Sequence, residues 1–298
     1  MGAMGLELTP LALVAVRGRG VLAADEPVLY ADDLGVTRGD GCFDTARVVT
    51  DDDGVARITG LAAHLDRLAA SAAAMDIVSP TYDQWAELIG DLLTAWHTPG
   101  EAVLKMVLTR GRERHADGPT AYVTLTHRGR PGRDAVPFAA REGISVVTLS
   151  KGHPSDAYAA APWLLGGVKT LSYAVNAAAQ REAIRRGADD VLFVSTDGYC
   201  LDGPTSGLIV RHGERLRTTP TGATGLLPSV TVERIVTAAR QDGLIAEDTL
   251  IPVADLLHAD GIWLVSSGRG PAPVRILDGQ PMPMAESWRQ RMLGYAGF

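Results

Sequence analysis

The sequence predicts a two-domain chain of mixed structure, an α+β first half followed by a second half with more α/β character. Three observations carry this. Strand-like and helix-like stretches run in blocks through residues 1–126. A stretch rich in Arg, Gly and Pro, from His127 to Gly143, then interrupts the pattern. Beyond it, apolar strands and amphipathic helices alternate. A length of 298 residues accommodates two domains of ordinary size, and 46% hydrophobic residues supply their cores. The boundaries follow: a smaller N-terminal domain at 1–126, a linker at 127–143 and a larger C-terminal domain at 144–298.

In the first half, Leu11 to Val16 is an apolar run that reads as a strand, as do Ala46 to Thr50, Val103 to Thr109 and Thr120 to Leu125. Leu61 to Met75 places Leu61, Leu65, Leu68 and Ala72 on one helical face. Tyr82 to His97 does the same with Trp85, Leu88, Ile89, Leu92 and Trp96. In the second half, Ile144 to Leu149 is a strand. A helix at Leu171 to Arg186 aligns Leu171, Val175, Ala178, Ala179 and Ala183, with Gly187 as its stop. Val191 to Ser195 and Tyr199 to Asp202 form a hairpin about Asp197-Gly198. A strand at Leu208 to Arg211, a helix from about Val230 to Gln241 and a strand at Ile262 to Ser266 complete the pattern.

A net charge of −7 argues against a nucleic-acid partner, since phosphate neutralisation needs a basic face. The basic run His127 to Arg133 reads as a solvated linker, because Gly and Pro interrupt it. Cys42 and Cys200, far apart in sequence, suggest no disulfide framework and fit a reducing compartment. With no signal-peptide pattern and no apolar run of about 18 residues, the expectation is a soluble cytoplasmic protein without a membrane partner.

Lys169 is the residue that points to chemistry. It is the only charge between Asp156 and Arg181, set between Gly166-Gly167 and the start of an amphipathic helix. Apolar surroundings disfavour the charged form of a lysine and free its amine for nucleophilic work, as a Schiff base requires. Three further features accompany it. Asp202 ends a strand in a Gly-Pro-hydroxyl loop. Leu227-Pro228-Ser229-Val230-Thr231 runs into a helix, whose N-terminus offers N–H groups to an anion. Ser266-Ser267-Gly268-Arg269-Gly270 follows an apolar strand. On the first helix, His64-Leu65-Asp66-Arg67-Leu68 sets Arg67 toward the polar side. The chain has no strand–GxGxxG–helix unit, no HExxH or paired CxxC metal motif and no GxSxG elbow. No metal site is expected.

Together these segments resemble the class IV, or fold-type IV, pyridoxal-phosphate enzymes: branched-chain and D-amino-acid aminotransferases and aminodeoxychorismate lyase. The similarity spans about Asp32 to Gly279. It implies a two-domain fold-type IV architecture with pyridoxal 5′-phosphate held between the domains, in a homodimer. It places Lys169 on the lysine that bonds the cofactor, and Arg67 on the phosphate-binding arginine. Val230, Thr231 and Ser267 fall on the remainder of the phosphate cup. Asp202 stands where the family has a glutamate on the pyridine nitrogen, and is shorter by one C–C bond, about 1.5 Å. Gly207 stands where the family has asparagine.

Gly39-Asp40-Gly41-Cys42-Phe43-Asp44-Thr45-Ala46-Arg47-Val48 looks most like the lyase, although the acid at Asp44 is closer to the D-amino-acid aminotransferases. The resemblance therefore implies a 4-amino-4-deoxychorismate lyase releasing pyruvate and p-aminobenzoate, a step of folate biosynthesis. A class IV aminotransferase acting on D-amino or branched-chain amino acids is the alternative. A catalytically impaired cofactor-binding protein, suggested by Asp202 and Gly207, comes third. Arg47, Arg110 and Arg114, with Arg112 and His115 nearby, are the candidates for substrate carboxylates.

Overall fold

The computed structural model describes residues 12–115, 117–128 and 140–298, so most of the expected linker and Leu11 lie outside the described residues. Tertiary contacts divide the chain into two compact units, Met1–Asp134 and Ala135–Phe298.

The first unit is an antiparallel sheet. Its strands are β1 (Ala12–Val16), β2 (Gly20–Ala23), β3 (Gly41–Thr50), β4 (Ala56–Ile58), β5 (Gly100–Thr109) and β6 (Thr120–His127). Their order is β2-β1-β6-β5-β3-β4. The helix Leu61–Ala74 packs on β3, and the helix Tyr82–Thr94 packs on β1 and β6. The second of these starts in a capping box: the Thr81 hydroxyl accepts from Gln84 N, and Gln84 Oε1 accepts from Thr81 N at 3.0 Å. It ends earlier than the apolar periodicity suggests, yet Trp96 remains fully buried, its Nε1 donating to Thr50 Oγ1 at 3.2 Å. Strand β3 is longer than expected, pairing with β5 from Gly41↔Thr109 to Thr50↔Gly100. Side chains alternate along it. Cys42, Asp44, Ala46 and Val48 lie buried under the helix, and Thr45, Arg47 and Val49 take the other face.

The second unit is a mixed sheet of β7 (Ile144–Ser150), β8 (Asp190–Val194), β9 (Gly207–His212), β10 (Arg215–Thr218), β11 (Ile245–Asp248), β12 (Gly261–Ser266), β13 (Gly270–Leu277) and β14 (Gln280–Pro281). The order is β11-β10-β9-β12-β13-β7-β8, with β14 on β13. β7 runs parallel to β8 and β13, and β10 runs parallel to β11. Both sheet faces carry apolar cores. Leu208, Val210, Ile262 and Leu264 belong to one, and Ile209, Trp263 and Val265 to the other. Burial on both sides is why these strands read as continuous apolar runs. The helix Ala174–Arg185 packs on β7 and β8, Val230–Gln241 on β9, β11 and β12, and Glu286–Ala296 on β13.

Two expectations change in detail. The helix after Lys169 begins at Ala174 rather than Leu171, because a turn closed by Tyr173 N to Leu171 O at 2.7 Å occupies its first residues. The segment Tyr199 to Asp202 returns beside β8 through isolated bridges only. It alternates partners, Leu201 N donating to Phe193 O and Cys200 N to Ile251 O, so no continuous ladder forms. Edge strands β2, β4, β11 and β14, the short strand β10 and the last helix add to the elements expected from periodicity. Cys42 and Cys200 are buried free thiols, each pushed up to about 12, chiefly by burial. Among the described residues, no helix is long and apolar enough to cross a membrane.

Candidate active site

In the second unit the sequence features around Lys169 meet. A short 3₁₀ turn at Pro162–Leu164 leads into Gly166 and Gly167. Gly167 N donates to Gly225 O at 2.9 Å, tying the lysine's approach to the loop that opens the helix Val230–Gln241. The contact needs glycine on both sides. A Cβ on Gly166 would lie 3.0 Å from Gly225 Cα and 2.6 Å from the Tyr158 ring, and one on Gly225 would lie 2.4 Å from that ring. Past this contact, Lys169 Nζ donates to the Tyr173 hydroxyl at 3.1 Å. One turn into the next helix, Asn176 Nδ2 donates to Pro204 O at 2.5 Å and ties that helix to the loop carrying Asp202.

Asp202 is the acid of this region. Its Oδ1 is shielded from solvent and has no hydrogen-bond partner among the described residues. A shielded, unpartnered carboxylate oxygen costs stability and marks a place where a donor belongs. Burial pushes its carboxyl up to about 6, against the opposing charges of Lys151 and Lys169.

The third component is an anion cup. Ser229 caps the helix Val230–Gln241, its hydroxyl accepting from Val232 N at 3.3 Å. The N–H groups of Val230 and Thr231 have no acceptor among the described residues, and the positive end of the helix dipole lies there. Thr231 Oγ1 stands 2.9 Å from Ser267 Oγ, so two hydroxyls join the N–H groups. Gly207 has a local reason: a Cβ there would lie 2.9 Å from Val232 Cγ2, so the helix start leaves no room for a side chain. In the loop of Ser267, Arg269 Nη1 holds the buried Asp190 at 2.7 Å, while its Nε and Nη2 are shielded without a partner among the described residues. This guanidinium lies in the segment Ser266 to Gly270 but carries no role there on sequence grounds, and Lys151, Tyr173 and Asn176 are not singled out in the sequence. Tyr173 alone has a signal, its spacing of four residues from Lys169.

In the first unit Arg67 departs from its expected polar side. It turns inward and forks onto Asp44, Nε to Oδ2 at 2.7 Å and Nη2 to Oδ1 at 2.8 Å. His64, one turn earlier, meets Asp44 Oδ1 through Nδ1 at 2.7 Å. Exposures of 0% for Asp44, 2% for His64 and 11% for Arg67 make this a buried cluster. Burial by itself would raise the Asp44 carboxyl; hydrogen bonds and charge from Arg67 and His64 outweigh it and hold the group below the ordinary carboxylate range. Asp44 therefore contributes stability that is present above its unfolded value and is lost as pH falls through the lowered folded one. Asp44→Ala, which strands the Arg67 charge, is expected to cost about 3–5 kcal/mol of folding stability. Urea denaturation of the variant measures this, and a loss below 1 kcal/mol, the range of an exposed pair, removes the cluster from the core's account.

The three arginines weighed for substrate carboxylates differ in their engagement. Arg47 Nη2 is held by Glu101 Oε1 at 2.7 Å, on the sheet face opposite Asp44. Arg110 is a clamp: it binds Asp40 at 2.6 and 3.2 Å, Met75 O at 2.7 Å and Asp76 O at 3.1 Å. Arg114 is exposed, with no partner among the described residues, and His115 is exposed with its charge acting on Asp32. Arg112 binds Asp32 at 2.9 Å and stacks 4.1 Å from the Tyr30 ring centroid.

Comparison with known proteins identifies the family. A bifunctional aminodeoxychorismate lyase / D-amino acid transaminase of Mycobacterium tuberculosis is 40% identical over 271 residues, 88% of this chain and 90% of that protein. A hypothetical aminotransferase from Mycobacterium tuberculosis, in its PLP-bound form, superposes with a TM-score of 0.88 at 37% identity, covering 96% of this chain and 97% of that one. A fold IV-transaminase from Curtobacterium pusillum superposes with a TM-score of 0.84 at 36% identity, again covering 96% and 97%. Residues 41–277 match the family Amino-transferase class IV, and the chain is a member of that family with the fold-type IV architecture.

Proposed function

We propose that this chain is a 4-amino-4-deoxychorismate lyase, releasing pyruvate and p-aminobenzoate for folate biosynthesis. The observation that carries the reading is the 40% identity, across 88% of the chain, to a relative named for that lyase activity and for D-amino acid transamination. The lyase-like run Gly41 to Val48 supports it. As a class IV enzyme the chain takes pyridoxal 5′-phosphate, and the residues present fit it. Asp202 offers an acceptor to the ring nitrogen. Val230, Thr231 and Ser267 offer N–H and hydroxyl donors to the phosphate; Arg67, which the resemblance assigns to the phosphate, is held by Asp44 within the first unit.

When bound, the cofactor supplies an aldehyde that condenses with amines and a ring that takes up an electron pair. Lys169 does the proton work. Its free amine, oriented by the Tyr173 hydroxyl, removes the proton from the substrate carbon bearing nitrogen. The C–O bond to the three-carbon side chain then breaks with its electrons on oxygen, the six-membered ring becomes aromatic, and the proton goes to the methylene carbon of the departing enolate to give pyruvate. Asp202, as an anion, keeps the ring nitrogen protonated. The substrate carries two carboxylates, and Arg114, with donors to offer, leads the candidates to hold one, followed by Arg47 and Arg110.

D-Amino-acid transamination is the second reading, favoured by the acid at Asp44 and by the second activity in the relative's name. Lys169, Asp202 and the phosphate cup serve both reactions, so substrate decides. The reading includes a homodimer, as the family resemblance implies, and a cytoplasmic location, as the cysteine usage suggests. The test supplies freshly made aminodeoxychorismate to the pure protein with pyridoxal phosphate and follows pyruvate with a coupled dehydrogenase. Release supports the lyase. No release, with D-alanine and 2-oxoglutarate converted instead, moves the transaminase to first place, and neither activity with cofactor bound favours an impaired binding protein.

A further inference from the structure

Lys151 follows directly on β7, where its N–H donates to Val194 O at 2.8 Å. Its ammonium lies 3.9 Å from the centroid of the Phe193 ring. Phe193 is bonded in turn to Asp202, its N–H donating to Asp202 O at 2.8 Å. The strand end, the ring and the acid are thus neighbours through one backbone bond and one ring contact. Lys151 has no carboxylate within ion-pair distance among the described residues, and Asp202 Oδ1 is shielded without a donor. The cations acting on Asp202 are Lys151 and then Lys169, the latter also bonded to the Tyr173 hydroxyl.

These two lysines are not equivalent. The Lys169 amine bonds to and leaves the cofactor during turnover, so its charge at Asp202 is not constant. Lys151, laid on an aromatic face that attracts a cation, is free of that duty. We propose that Lys151 is a positioning residue of the reaction: its ammonium, steadied on the Phe193 ring, keeps Asp202 ionised to receive the cofactor's ring nitrogen. The cofactor part of this rests on the function proposed above; the coupling of Lys151 to Asp202 does not.

The test separates the two. Lys151→Met keeps the stem over Phe193 and removes the charge, Lys151→Arg keeps the charge, and Lys151→Gln replaces the methionine variant if that does not fold. In the apoprotein, the Asp202 carboxyl is followed by carbon NMR, with Asp202→Asn to assign its signal. Its titration midpoint is expected to rise by about one pH unit in Lys151→Met and to stay in place in Lys151→Arg. The dissociation constant for pyridoxal phosphate, read by fluorescence quenching, is expected to rise about tenfold in Lys151→Met and not to rise further when Asp202→Asn is already present. An unmoved titration, or the same loss of affinity in the Asp202→Asn background, overturns the inference. A wild-type protein that binds no pyridoxal phosphate overturns the functional reading instead, and the titration still decides the coupling.

Discussion

Lys169→Ala is expected to lower pyruvate release by about 10⁴-fold or more, because in the proposed reaction one side chain is both the nucleophile toward the cofactor and the base toward the substrate. No neighbouring group replaces it. The hydroxyl 3.1 Å away on Tyr173 is a far weaker base than an amine. The variant is expected to fold, since Lys169 lies in the turn before the helix Ala174–Arg185 and the glycine contact of Gly167 with Gly225 is made by backbone alone. Borohydride reduction followed by mass spectrometry checks the covalent role: the wild type should gain the mass of the reduced cofactor at Lys169, and the variant should gain none. A variant that keeps a tenth of wild-type turnover sinks the assignment.

Asp202→Asn is expected to lower turnover by about 10²–10³-fold, with a smaller effect on cofactor affinity. The amide preserves the shape but cannot hold the ring nitrogen in its protonated form. It also has a signature in the protein without cofactor. The Asp202 carboxyl stands at about 6 in the fold, from an ordinary value of 3.8, because burial favours its neutral form over the opposing lysine charges. A raised folded value means that the group's contribution to stability is fully present below the unfolded value and is lost as pH rises through about 6. Between pH 4 and 6 the wild type should therefore lose stability that Asp202→Asn retains. Parallel urea-denaturation profiles of the two across that window would show that the acid is not buried in solution. Asp202→Glu adds one methylene, and a manyfold gain in turnover from near zero would favour the impaired-protein reading of the natural aspartate.

Lys169 stood out as one charge in an apolar, glycine-bearing stretch, but a lysine snorkelling from a helix end gives the same local pattern, and the motifs elsewhere in the chain made it the candidate. The anion cup was legible from local sequence, since Leu227 to Thr231 carries its own helix start. Arg67 shows where such reading stops. Helical periodicity assigns charged residues to solvent, and Arg67 turned inward because its partner, Asp44, reaches it from a different element. The same physics shortened the reading of β3. A carboxylate breaks an apolar strand pattern unless a cation from another element answers it inside. Arg110 and Arg114 are separated by a few positions on one loop, yet Asp40 and two carbonyls engage the first, and no described residue engages the second.

The sequence by itself determined the broad fold, the principal helices and most long strands, and it singled out Lys169 and the helix start at Leu227 to Thr231 as candidates, because periodicity, turns and helix starts are local properties. Tertiary structure decided which charges are buried, which arginines are already engaged and which acid lacks a partner. Those outcomes depend on pairings between elements distant in the chain, and an ionisable side chain takes its role from what faces it when water is removed.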